Sequence, residues 1–320
     1  MDGSSQIAKR LRVSERVIGL TLVAFGTSFP ELSISVIAAI NKSDGLAIGN
    51  VVGSNIFNIC VVLGIIALIR PITVSKSMVK KDIPMNLLTA LVLLVLLFDA
   101  IFSGDTVNRL TRGDGLIFLL FFGVFLYYTF YKNGDEARGT RYEVASPQVE
   151  HLTNDTPRTS HLTTSHHEQS KYNLTKNIVL IILGLGGVLL GGHFVVKGAV
   201  QVAEAFGMSH TLIGLTIVAM GTSLPEITTG IVAILKGKDD IAIGNIVGSG
   251  VFNVLFILGT AALISPITLS VNILLDVIVL IAVTVFLWFA ARSEGKISKP
   301  EGVFFLVVYV IYFVYIIYRG

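Results

Sequence analysis

Apolar residues in this chain gather in long unbroken runs, with polar residues confined to the stretches between them. The runs lie near residues 17 to 40, 46 to 68, 86 to 102, 116 to 131, 177 to 196, 212 to 235, 241 to 263, 273 to 291 and 303 to 318. Each is about as long as an α-helix must be to cross roughly 30 Å of hydrocarbon, whereas barrel strands are shorter and alternate in polarity. The pattern predicts nine membrane-spanning helices. Composition agrees: with 53% hydrophobic and 14% charged residues, the chain has too little polar surface to cover a water-soluble globule.

Two stretches repeat. Residues 19 to 64 read GLTLVAFGTSFPELSISVIAAINKSDGLAIGNVVGSNIFNICVVLG, and residues 214 to 259 read GLTIVAMGTSLPEITTGIVAILKGKDDIAIGNIVGSGVFNVLFILG. At a constant offset of 195, 23 of these 46 positions are identical, including Gly, Thr, Ser, Pro, Glu, Asp and Asn, so the chain carries an internal duplication. Five runs separate the start of one copy from the start of the other, and an odd number of crossings inverts the second. The expected fold is all-α, a polytopic transmembrane bundle made of an inverted repeat of two five-helix halves. Residues 1 to 131 form the first repeat, 132 to 176 a linker and 177 to 320 the second repeat.

Charge placement tests the inversion independently, because Lys and Arg favour cytoplasmic loops. With the 132 to 176 linker in the cytoplasm, 19 of the 24 basic residues fall on that side, leaving Lys42, Arg109, Arg112, Lys197 and Arg319 outside. Residues 1 to 16 carry Lys9, Arg10, Arg12 and Arg16, whereas the matching 196 to 211 carry only Lys197. Arg70, Lys76, Lys80 and Lys81 likewise have no basic counterpart between 265 and 276. At the same offset Met1 meets Val196, so the run at 177 to 195 has no partner and the first half lacks its opening helix. A truncated gene model is the expectation.

The linker contains Pro147, Pro157 and clustered Ser, Thr and His without sustained apolar periodicity, and reads as flexible. His151, His161, His166 and His167 sit within it, as a solvated loop in preference to a metal-binding tract. The net charge of +3 resides in loops and implies no nucleic-acid partner. The single cysteine, Cys60, excludes an internal disulfide and reads as packing. Gly184, Gly186, Gly187, Gly191 and Gly192 permit either tight helix packing or sliding against the other half.

Candidate chemistry lies inside the repeats. Each copy interrupts an apolar run with Gly-Thr-Ser-x-Pro-Glu, at Gly26 to Glu31 and Gly221 to Glu226. Pro30 and Pro225 remove amide donors, so carbonyls upstream lose intrahelical partners. Broken backbone at membrane depth is tolerated only inside protein or against a watered cavity. A membrane-central carboxylate costs about 2.5 to 3.5 kcal/mol even on generous scales. A bland alternative remains: Ser28-x-x-Glu31 and Ser223-x-x-Glu226 also fit capping boxes opening a second half-helix. Two inverted copies favour the other reading, in which both Glu residues meet near the midplane and demand a cation. Hydroxyl, carbonyl and carboxylate oxygens suit Ca2+ or Na+ better than zinc or copper.

The second shared element, Ala-Ile-Gly-Asn-x-Val-Gly-Ser, continues to Asn58 in one copy and Asn253 in the other. Ser54 and Asn58 are four residues apart and share a helical face, as do Ser249 and Asn253. Gly49, Gly53, Gly244 and Gly248 are expected to be close-packing positions.

These paired motifs resemble the calcium/cation antiporter superfamily, in particular its bacterial sodium/calcium antiporter branch, over nearly the whole chain outside the linker. The resemblance implies ten helices, here nine, with ions held between the second and third helices of each half. It implies a secondary antiporter of the plasma membrane that exchanges Ca2+ for Na+ by alternating access, without a prosthetic group. The runner-up is a Ca2+/H+ or K+-dependent exchanger. Carried over by motif, Glu31 and Glu226 are the central ligands, joined around Ca2+ by Thr27 and Thr222. The Ala24 and Ala219 carbonyls and the hydroxyls of Ser28, Ser54, Ser223 and Ser249 serve flanking Na+ sites, and Asn58 and Asn253 complete the centre. Relatives often carry Asp where this chain has Asn253. A channel could use the same ligands, but channels usually build one pore from symmetric subunits. No Ser-His-Asp set, paired metal motif or Walker-type loop supports an enzyme.

Overall fold

Hydrocarbon offers no partner to a bare amide or carbonyl, so a chain this apolar satisfies its backbone within helices. In the computed structural model, residues 14–97, 108–131, 207–269 and 272–319 are described, together with scattered positions between 179 and 201. The first repeat contributes α1 (Glu15–Thr27), α2 (Phe29–Ile40), α3 (Asp44–Ile69), α4 (Ile83–Leu97) and α5 (Arg112–Tyr131). The second contributes α6 (210–222), α7 (Leu224–Leu235), α8 (Asp239–Ile264), α9 (Asn272–Ser293) and α10 (Lys299–Arg319). Six described spans are long and apolar enough to cross a membrane, α3, α5, α8, α9, α10 and the α6–α7 stretch Thr211–Leu235, and the bent pair α1 and α2 makes a seventh. Of the nine runs in the sequence, the one at 86 to 102 is described only as far as Leu97, and most of 177 to 196 lies outside the described residues. The linker at 132 to 176, with its four histidines, also lies outside them.

Among the described residues, four two-residue strands tie the loops. β1 (Ile72–Thr73) pairs antiparallel with β4 (Lys296–Ile297), and β2 (Arg109–Leu110) with β3 (Ile267–Thr268).

Two hydrogen bonds fix the relative direction of the repeats. Asp44, at the start of α3, accepts from the Thr268 amide just beyond the end of α8 at 2.8 Å. Asp239, at the start of α8, accepts from the Thr73 amide just beyond the end of α3 at 2.9 Å and pairs with Arg70. Each helix thus begins where its counterpart ends, and α3 and α8 run antiparallel. Midway along, Asn55 of α3 reaches the Gly250 carbonyl of α8. The inversion expected from the odd number of crossings is present.

Glycine shapes the contact between the halves. A Cβ on Gly49 would lie 2.9 Å from the Thr211 carbonyl oxygen, and one on Gly244 would lie 3.0 Å from that of Arg16. Gly53 faces the Leu215 carbonyl at 2.8 Å and Gly248 the Leu20 carbonyl at 2.5 Å. All four contacts obey the offset of 195, so α1 lies in a groove of α8 as α6 lies in a groove of α3. These are the close-packing glycines the motif predicted. Gly184, Gly186 and Gly187 differ: no described atom lies within 4 Å of the added Cβ, so close packing is not seen there. Gly191 and Gly192 lie outside the described residues.

Candidate cation-exchange centre

The break between α1 and α2 falls at Ser28, with Pro30 in the first turn of α2, and bends the pair by 48°. Ser223 and Pro225 repeat it between α6 and α7. Both serines occupy the N-cap position, yet neither makes a side-chain capping bond. Their hydroxyls go across the repeat instead. Ser28 Oγ donates to Glu226 Oε1 and Ser223 Oγ to Glu31 Oε1, each at 3.4 Å. The capping-box alternative therefore does not describe these serines, because a cap would bind its own helix.

Glu31 and Glu226 are completely buried and close enough to repel each other. Thr222 lies beside Glu31 and Thr27 beside Glu226, while Ser249 donates to Glu226 Oε1 at 3.3 Å. Ser54 and Thr222 hydroxyls meet at 3.2 Å. Around this pair the structure gathers Thr27, Ser28, Ser54, Thr222, Ser223 and Ser249, every one at most 1% exposed.

The Ala24 and Ala219 carbonyls are already engaged. Ala24 accepts from the Ser28 amide and the Thr27 hydroxyl, and Ala219 from the Ser223 amide and the Thr222 hydroxyl. Proline removes the amide two residues further on, so it leaves these two carbonyls their usual donors. An ion drawing on them competes with those donors.

Asn58 opens one wide π-helical turn, Asn58–Val62, and Asn253 is the second residue of another, Phe252–Leu258, of a kind that often marks functional sites. Both residues are fully buried. Sequence reasoning passed over three further amides. Asn50 Nδ2 donates to the Glu31 carbonyl at 3.1 Å and to Ser35 Oγ at 2.8 Å, while its Oδ1 accepts from Thr222 at 3.2 Å. Asn245 accepts from Thr27 at 3.1 Å and donates to Thr229, which in turn donates to the Glu226 carbonyl. Asn253 Nδ2 donates to Asn55 Oδ1 at 2.8 Å. The first two were detectable: Asn50, Ser54 and Asn58 follow one another every four residues along one helical face, as do Asn245, Ser249 and Asn253.

Buried polar atoms in proteins are nearly always paired. Glu31 Oε2 and Glu226 Oε2 at this centre have no partner, nor do Asn58 Oδ1 and Nδ2 and Asn253 Oδ1, four residues beyond Ser54 and Ser249. Among the described residues no group of three or more His, Cys, Asp or Glu side chains could hold a metal ion, so the donors here are two carboxylates with neutral oxygens. That set binds hard cations and disfavours soft ones.

Comparison with known proteins agrees. The family model described as sodium/calcium exchanger protein matches residues 1–131 and 176–318. This chain belongs to that family. The sodium/calcium exchanger MaX1 of Methanosarcina acetivorans is 31% identical over 98% of the exchanger chain and 92% of its own length. The inner membrane protein YrbG of Escherichia coli is 36% identical over 82% and 74%. Among solved structures, the sodium-calcium exchanger NCX_Mj soaked with 100 mM Na+ and 10 mM Sr2+ superposes with a TM-score of 0.72 at 31% identity, covering 97% of the exchanger and 89% of that chain.

Proposed function

We propose that this exchanger is a secondary antiporter of the plasma membrane that moves Ca2+ against Na+ by alternating access around the Glu31/Glu226 centre. The unpartnered oxygens of Glu31, Glu226, Asn58 and Asn253 carry this reading. Burying an ionised carboxylate costs several kcal/mol unless it is compensated, and among the described residues no Lys or Arg is hydrogen-bonded to either Glu. One divalent cation, or Na+ ions in its place, supplies the missing charge. Two ionised carboxylates balance one Ca2+ without a third acid.

In this reading Glu31 and Glu226 hold Ca2+ with Thr27 and Thr222. Ser28, Ser54, Ser223 and Ser249, with the Ala24 and Ala219 carbonyls, serve flanking Na+ ions, and Asn58 and Asn253 complete the centre. NCX_Mj has been studied with Na+, Ca2+ and Sr2+, an ion set that fits such donors. The two ends of the bundle support an orientation. Arg16, Arg70, Lys76, Lys80, Lys81, Lys236, Lys238, Arg292, Lys296 and Lys299 cluster around the Asp239 end, against Lys42, Arg109, Arg112 and Arg319 at the Asp44 end. Ten against four supports a cytoplasmic Asp239 end. Helix α5 begins at the other end, so residues 132 to 176 follow on the cytoplasmic side.

The test is Ca2+ uptake into proteoliposomes under an imposed Na+ gradient, repeated with K+ and with a pH gradient. Uptake should require Na+, and Glu31→Gln or Glu226→Gln should each reduce it to the level of protein-free vesicles while the protein stays monodisperse. Normal flux in either variant would return that Glu to a structural role. Uptake indifferent to Na+ would overturn the antiport.

A further inference from the structure

Residues related by a two-fold axis can touch each other only where the axis passes. Positions 55 and 250 are equivalent at the offset of 195, and Asn55 Nδ2 donates to the Gly250 carbonyl at 3.1 Å. The pseudo-two-fold axis relating the repeats therefore runs through this contact. Here the copies differ: the first carries a carboxamide and the second carries hydrogen. The space beside Gly250 is filled, since a Cβ there would lie 2.5 Å from Asn86 Oδ1.

The contact has a chemical polarity that an amide cannot reverse. A backbone carbonyl only accepts, so the NH2 of Asn55 must face Gly250 and its Oδ1 must point the other way. That oxygen meets Asn253 at 2.8 Å and only accepts in turn, so Asn253 turns its own NH2 towards Asn55. Asn253 Oδ1 is left buried and without a partner. Asn58, the equivalent amide of the first copy, has no such tether, and both of its polar atoms are unpartnered.

We propose that Asn55 is a positioning residue of the exchange centre: it relays the polarity of the Gly250 carbonyl to Asn253 and so commits that amide to presenting oxygen, never NH2, to the cation. This rests on the exchange reading above. The consequence is an unequal pair of central amides, with Asn253 fixed as an oxygen ligand and Asn58 free to turn. Without Asn55, the Asn253 amide populates both orientations, and the one that directs NH2 at the cation opposes binding.

The deciding experiment compares Asn55→Ala in two backgrounds, the native protein and Asn253→Asp, whose carboxylate presents oxygen at either end and has no orientation to fix. In the native background Asn55→Ala should raise the KM for Ca2+ roughly tenfold, with the maximal Na+-driven rate within about twofold. In the Asn253→Asp background the same change should leave KM unaltered or lower it, since it removes an oxygen facing a carboxylate. An equal rise in both backgrounds would make Asn55 a packing residue and overturn the proposal, as would an unchanged KM in the native background. If Asn55→Ala does not fold, Asn55→Ser, whose hydroxyl can serve the Gly250 carbonyl but is too short to span both partners, is read in the same two backgrounds. Failure of the exchange reading shows separately, as native protein lacking Na+-dependent uptake.

Discussion

At the scale of single residues, the serines at the helix breaks invite a sharp test. A working N-cap contributes about 0.5 to 2 kcal/mol. Ser28 and Ser223 direct their hydroxyls to the opposite carboxylate instead. Ser28→Ala should therefore change thermal stability by less than about 0.5 kcal/mol, below the range of a lost cap, while weakening the apparent affinity for the transported ions. A lowered melting temperature with unaltered flux would show that Ser28 is a cap after all. The carboxylates, hydroxyls and Asn58/Asn253 were legible in the sequence because the duplication singled them out. Asn55 was not, since its partner position holds Gly250 and a search for shared polar residues discards it. Asn50 and Asn245 were shared and lie four residues before Ser54 and Ser249, but the spacing alone does not reveal that each also bonds a threonine of the opposite repeat.

Among elements, the glycine grooves decide how closely the halves approach. A methyl group on Gly248 would meet backbone atoms of Leu20 at 2.5 to 2.9 Å, and backbone cannot swing aside as a side chain can. Gly248→Ala should cost about 1 to 3 kcal/mol by overpacking. Gly123 in α5 has nothing within 4 Å of its missing Cβ, so Gly123→Ala should be neutral or stabilising by up to about 1 kcal/mol through helix propensity. Melting of both variants in detergent checks the contrast, and equal losses would refute the groove account. Helix identity and the inverted arrangement were readable from run length, the repeat and the parity of crossings. The four short strands were not, because two-residue pairings such as Ile72 with Ile297 join loops distant in sequence and leave no periodic mark.

For the molecule as a whole, the two ends are unequal. At the Asp239 end, Arg16 and Asp82 form a buried pair at 2.6 Å and Lys238 binds Glu15. At the offset of 195, the positions of Glu15, Arg16, Asp82 and Lys238 correspond to His210, Thr211, Val277 and Ser43, none of which could form the same pairs at neutral pH. Sidedness is directly measurable, since Cys60 is the sole cysteine in the sequence and is fully buried. A membrane-impermeant maleimide applied to intact cells should label Arg112→Cys but reach Lys299→Cys only after permeabilisation. The reverse pattern would invert the orientation.

The Asn55/Gly250 contact also bears on how such a chain could have arisen. Two separate identical subunits around the same axis would have to carry the same residue at that position. Two asparagines would compete for the place that one carboxamide now fills, and two glycines would leave the Asn253 position untethered. One of each requires two copies that are free to diverge, as the two halves of this chain are. The polarised central amide is thus a property that divergence of the duplicated copies made accessible, and no symmetric dimer of identical halves could have possessed it.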